Sequence, residues 1–331
     1  MTFDHLQLSG PIPSLDSIAI PINSPVPDGP PDIIPGLLPM RGGLVIAGAT
    51  NQGKTLISLE MCSALIHGTP LWGELSPVRT IKRVLYILGE HNTDVLQRLA
   101  LKTQLPMSAG VLLLGPEQLK WDKWLVTGGK INVVAFEKFS VWAQGADLII
   151  WDPLSAFLSG QDAENDNVQM RLVLQTMNDI AYSVGAACII LAHQGKPQMD
   201  QFGKEHSRKS YAIRGASAIE DAATNIFYLD RANGESEAAA KATGGQIFSL
   251  INRKYKGEAP PDYRLLRDPS TLTHTLLGNR PFVEVQRIAT QSALGKMQAS
   301  FPDKKVGELI KILAVVKDVS EQTIRRHLGV A

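Results

Sequence analysis

Cysteine is scarce in this sequence: two residues in 331, Cys62 and Cys188. Cys62 falls in a helical stretch and Cys188 in an apolar run. Both read as small buried hydrophobes, not as a disulfide or a metal pair. A reducing cytoplasm is the simple expectation. Net charge is nearly absent, at +1. That balance neither supports nor excludes a nucleic-acid partner, because a local basic loop is enough for one. No apolar run is long enough to span a bilayer and no secretory leader stands out, so no membrane partner is expected. Proline is crowded into the start, at Pro11, Pro13, Pro21, Pro25, Pro27, Pro30, Pro31, Pro35 and Pro39. A long helix is excluded there. The stretch reads as an extended arm, either a tail or a strap lying on a neighbouring subunit. The expected division is an arm over 1–35, a main domain over 36–290 and a small helical appendage over 300–331.

The main domain is organised around Leu44-Val45-Ile46-Ala47-Gly48-Ala49-Thr50-Asn51-Gln52-Gly53-Lys54-Thr55. An apolar run suited to a central parallel strand leads into G-x-x-x-x-G-K-T and then a helix to about residue 67. Backbone N–H groups of such a loop converge on phosphate oxygens, and the positive end of the helix faces them. Gly48, Ala49, Thr50, Asn51, Gln52, Gly53, Lys54, Thr55 and Leu56 are the expected nucleotide contacts. Lys54 should reach the β- and γ-phosphates, and the Thr55 hydroxyl should hold Mg²⁺. ATP and Mg²⁺ are the implied ligands.

Strands and helices alternate along the rest of the domain, which implies a doubly wound, mostly parallel α/β sheet. Strands are expected at 83–88, 111–114, 146–152, 186–192, 225–229 and 246–251, and helices at 93–102 and 168–184. Residues 115–145 are mixed in character and resist placement. One strand ends at Asp152, in the position of the Walker B acid that orients a water or Thr55 around Mg²⁺. Pro153 follows it, so the group that activates water must come from elsewhere. Glu90, at the end of another apolar run, is the obvious acid, since parallel strands finish on the P-loop side of a sheet. His193 ends a third strand, where it either senses a γ-phosphate or merely shapes the next loop. That loop carries Lys196, Lys204, His206, Arg208 and Lys209, a basic set suited to DNA or RNA phosphates or to plain solvation. An arginine offered across a subunit boundary would complete hydrolysis, and by spacing alone Arg214, Arg253 and Lys254 are all open choices. At the C-terminus, amphipathic helices over 305–316 and 321–328 read either as a packing appendage or as a helix-turn-helix.

Taken together, Gly48 to Thr55, Tyr86-Ile87-Leu88-Gly89-Glu90, Ile149-Ile150-Trp151-Asp152-Pro153-Leu154-Ser155, Leu191-Ala192-His193-Gln194 and Arg214-Gly215-Ala216-Ser217 resemble the RecA-like ATPases of the plasmid replication helicase RepA group. The resemblance covers about residues 36–257. It implies a RecA-like core, a homo-oligomeric ring, a hexamer, and ATP hydrolysis. By that resemblance Glu90 is the catalytic glutamate, Asp152 serves magnesium, His193 senses the γ-phosphate and Arg214 is an arginine finger for the next subunit. Single-stranded DNA is the implied partner of the loop after His193, in the replication of a plasmid or mobile element. A loader or regulatory protein that binds DNA without unwinding it is the alternative, and a ring ATPase acting on protein a third.

Overall fold

The computed structural model describes residues 32–160, 166–193, 216–231, 245–255, 259–277, 290–291, 294–295, 297–316 and 320–328. In chain order its strands are β1 (Asp32–Ile34), β2 (Leu38–Pro39), β3 (Gly43–Gly48), β4 (Val84–Leu88), β5 (Val111–Leu114), β6 (Val126–Thr127), β7 (Lys130–Ile131), β8 (Leu148–Asp152), β9 (Leu158–Ser159), β10 (Ala187–His193), β11 (Asn225–Arg231), β12 (Gln246–Lys254), β13 (Tyr263–Arg267) and β14 (His274–Leu276). Its helices are α1 (Lys54–His67), α2 (Thr93–Thr103), α3 (Pro116–Leu119), α4 (Val133–Trp142), α5 (Asn167–Ser183), α6 (Ala216–Ala222), α7 (Val306–Val316) and α8 (Glu321–Leu328).

Nine strands make one sheet in the order β14-β13-β12-β11-β3-β10-β8-β4-β5. From β11 to β5 neighbouring strands are parallel, and β12, β13 and β14 extend the sheet antiparallel. The parallel strands are apolar throughout because helices cover both faces. Side chains alternate along them. Val45 and Ala47 join Ile149, Trp151 and Ile190 in one core, against Phe139 of α4 and Val173 and Met177 of α5. Leu44 and Ile46 join Ile150, Ile189 and Leu191 in the other, against Ile57 and Met61 of α1 and Leu96 of α2. Cys62 and Cys188 are both free and buried, as their apolar surroundings suggest.

Three parts of this architecture depart from the sequence expectation. The arm expected over 1–35 overlaps structure at its end, where β1 and β2 pair as an antiparallel hairpin from Asp32. Ile33, Ile34, Leu37 and Leu38 are fully buried there. Proline sits in the turn and at the strand end, where no ladder hydrogen bond is lost. The strands β13 and β14 were not foreseen, being short and mixed in polarity. Residues 115–145 resolve into α3, a 3-10 turn over Lys120–Lys123, the hairpin β6–β7 and α4. Gly128 and Gly129 form the two-residue turn of that hairpin, both at positive φ (57° and 74°), as a twist-matched turn requires.

A buried polar cluster ties α1 to the far edge of the sheet. Glu60 accepts from the Trp72 indole Nε1 (2.9 Å), from His274 Nδ1 (2.9 Å) and from the His274 backbone N–H. Glu60 and His274 are 5% and 6% exposed. Glu60→Ala would strand three buried donors, so a stability loss of about 3 kcal/mol or more is expected. Urea denaturation checks this; a change under about 0.5 kcal/mol would show that the cluster holds nothing together.

Among the described C-terminal residues, α7 and α8 pack on each other through Ile310, Leu313, Ala314 and Ile324. No described helix is long and apolar enough to cross a membrane.

Candidate nucleotide-binding and hydrolysis site

The parallel register brings four strand ends to one side. His193 pairs with Gly48 across β10 and β3, and Asp152 pairs with Leu88 across β8 and β4. The Gly89 N–H then donates to the Asp152 carbonyl at 2.8 Å. Glu90 therefore leaves the sheet at the level where Asp152 ends.

The loop from Gly48 to Lys54 turns back on itself through Asn51 (φ 65°) and Gly53 (φ 105°). Glycine is needed twice. Gly53 holds a left-handed conformation, and a Cβ on Gly48 would meet the Leu229 carbonyl at 2.6 Å. The Gln52 side chain accepts from the Ala49 N–H (3.0 Å) and donates to Asp230 (3.4 Å). Arg267 of β13, stacked over Phe248 at 4.3 Å, donates to the Gln52 carbonyl at 3.3 Å. Leu56 is buried in the first turn of α1.

Lys54 is 6% exposed. Its ammonium donates to the carbonyls of Gly48 (2.9 Å) and Ala49 (3.0 Å) and lies 3.4 Å from His193 Nδ1. The other ring nitrogen, Nε2, lies 3.7 Å from the Glu90 carboxylate. Burial drags the Lys54 pKa down to about 8, against the pull of the Asp152 and Glu90 charges. Glu90 is held below the usual carboxylate range, chiefly by the hydrogen bond from His193, with the charges of His193, His91 and Lys123 helping against partial burial.

Asp152 Oδ2 accepts from the Thr55 hydroxyl (2.9 Å) and from the Tyr86 phenol (3.0 Å). Tyr86 is in turn 2.7 Å from Ser58 Oγ. Burial raises the Asp152 pKa, opposed by the Thr55 and Tyr86 hydrogen bonds and the Lys54 charge. Burial also pushes the Tyr86 phenol well up, so it stays a neutral donor. A hydroxyl beside a single carboxylate, both hard oxygen donors, suits Mg²⁺ that keeps waters and phosphate oxygens as its other ligands. A buried ammonium resting on two carbonyls and an imidazole suits a polyanion. The residues thus fit both implied ligands.

The structure brings Lys54, Thr55, Glu90, Asp152 and His193 together. On β12, Lys254 pairs with Ile226 and Asn252 with Phe227, and Arg253 falls in the irregularity between them; Ile226 and Phe227 are level with Val45 and Ile46, below their own P-loop. Arg253 stands over the Tyr228 ring at 5.6 Å, and Lys254 donates to the Glu220 carbonyl. Arg214, Lys196, Lys204, Arg208 and Lys209 lie outside the described residues. Tyr86, Arg267 and Lys123 were missed by sequence reasoning. Tyr86 had a signal, a phenol inside an otherwise aliphatic strand; Arg267 had none.

Residues 14–199 match the AAA domain family AAA_25, and the chain belongs to that family. No curated protein matches it. Among solved structures, a KaiC-like protein from the hyperthermophilic archaeon Pyrococcus horikoshii OT3 is similar at 15% identity with a TM-score of 0.48, covering 74% of this chain and 94% of that one. Family membership and sheet order together define a RecA-like P-loop ATPase core.

Proposed function

We propose that this chain is an ATP-hydrolysing motor that works as a ring, most simply a hexamer, and moves along single-stranded DNA in the replication of a plasmid or mobile element. The observation that carries the hydrolytic part is the chain of contacts from Lys54 to His193 to Glu90, beside the Thr55–Asp152 pair. Lys54 and the loop N–H groups bind the triphosphate and align its end. Thr55 and Asp152 would hold Mg²⁺, which would supply charge stabilisation at the phosphate oxygens. Glu90 orients the attacking water and accepts its proton. His193, 3.4 Å from Lys54 and 3.7 Å from Glu90, couples the γ-phosphate to the strand end from which the basic loop departs. Arg214 of a neighbouring subunit offsets the charge that develops on the γ-phosphate; Arg253 and Lys254 are the alternatives.

The DNA and ring parts rest on the resemblance to the RepA group and on the charge of Lys196, Lys204, Arg208 and Lys209. Measuring ATPase rate with and without single-stranded DNA, with particle mass alongside, tests them. Several-fold stimulation of a roughly sixfold assembly is expected. A monomer with an unstimulated rate would overturn this part. A second reading, a loader that binds duplex DNA without unwinding, is favoured by the mutual packing of α7 and α8. Site-specific duplex binding with no unwinding would select it.

A further inference from the structure

Glu90 sits in the turn between β4 and α2, and its side chain is 43% exposed. An acid on an exposed turn samples many positions unless the flanking backbone is held. Both flanks are held here, and by one segment. The Lys123 ammonium donates to the Gly89 carbonyl at 2.7 Å. The Glu117 carboxylate accepts from the Thr93 hydroxyl (2.5 Å) and the Thr93 N–H (3.1 Å), at the start of α2. Gly89 has no room to slide: a Cβ there would lie 2.2 Å from the Ala156 Cβ and 3.2 Å from the Phe157 ring. Its N–H is fixed to the Asp152 carbonyl.

We propose that residues 116–123 are a brace for the catalytic turn, with Lys123 as a positioning residue that sets Glu90 against the attacking water. The inference rests on the reading of Glu90 as the base. Lys123 does two things from one place. It pins the peptide immediately before Glu90, and it lays a positive charge beside the carboxylate, among the groups that keep it ionised. The other cationic groups facing it are His193 from β10, His91 from the turn itself and Lys54 from the start of α1. Glu117 is exposed, so its bond to Thr93 is the weaker of the two anchors. A displacement of about 1 Å at a reacting group costs on the order of a hundredfold in rate. Loss of one anchor should therefore fall on the chemical step and not on nucleotide binding.

The test compares Lys123→Met, Lys123→Arg and Glu90→Gln with the parent chain, reading kcat, KM for ATP and the Kd of ADP. Lys123→Met should lower kcat about tenfold or more, with KM and the ADP Kd unchanged. Lys123→Arg, which keeps both donor and charge, should recover most of the rate. Unchanged turnover in Lys123→Met, with Glu90→Gln inactive, would overturn the brace and leave the site intact. So would equal losses in kcat and ADP affinity, or an arginine variant no better than methionine. Full turnover in Glu90→Gln would instead remove the reading beneath it.

Discussion

Glu90→Gln is expected to bind ATP and fail to turn it over. Glutamine has the size of glutamate and keeps an oxygen toward His193, so the 3.7 Å approach between β10 and the turn survives. What it loses is the capacity to take a proton. His193 and the nearby cations hold the native carboxylate ionised, the form a base requires. A positioned base contributes about 10²–10⁴-fold to rate, and kcat should fall by that much while the Kd for ATP moves little. Steady-state turnover together with equilibrium binding checks both halves. Intact hydrolysis would remove Glu90 from the chemistry.

The second large effect belongs to Lys54, and it carries a pH signature. Lys54→Ala deletes a buried cation that would make charge-assisted hydrogen bonds to phosphate. At about 1.5–3 kcal/mol per bond, the loss should weaken nucleotide binding a hundredfold or more. In the native chain the free lysine titrates at about 8 because it is buried. A bound triphosphate favours the ammonium and raises that value. The bound state therefore holds more protons than the free state above pH 8. Affinity is expected to be level below pH 8 and to fall roughly tenfold per unit as pH climbs past it. Lys54→Ala should bind weakly with no inflection there. Isothermal titration with ADP across pH 7 to about 10 makes the comparison; a native chain whose affinity ignores pH would contradict the buried-ammonium account.

How much of this was legible in the sequence depended on how local the signal was. The P-loop announces itself because glycines, lysine and threonine must stand at fixed spacing between a strand and a helix. The strand ends at Asp152 and His193 were legible because uniformly apolar runs stop there. Glu90 was legible by the same edge argument, and α5 because its apolar residues keep helical spacing. What stayed hidden depends on contacts between distant segments. Lys123 belongs to a stretch of one short helix, one 3-10 turn and a two-residue hairpin, none long enough to set up a period. Its meaning comes from the Gly89 carbonyl, 34 residues away in the chain. Arg267 reaches the P-loop from 215 residues downstream, on a five-residue antiparallel strand that no pattern marked. The buried hairpin of β1 and β2 was masked by proline, read as a mark of an unpacked arm while its isoleucines and leucines fill the core.

The central claim is that one phosphate-binding centre is assembled from Lys54, Thr55, Asp152, Glu90 and His193. A crystal structure of the chain with Mg²⁺ and a non-hydrolysable ATP analogue tests it most directly. The account predicts the Lys54 ammonium on the β- and γ-phosphates, the metal between Thr55 and Asp152, and the Glu90 carboxylate beside a water in line with the γ-phosphate. A nucleotide bound elsewhere, or one bound here with Glu90 turned out to solvent and no water in line, would contradict it.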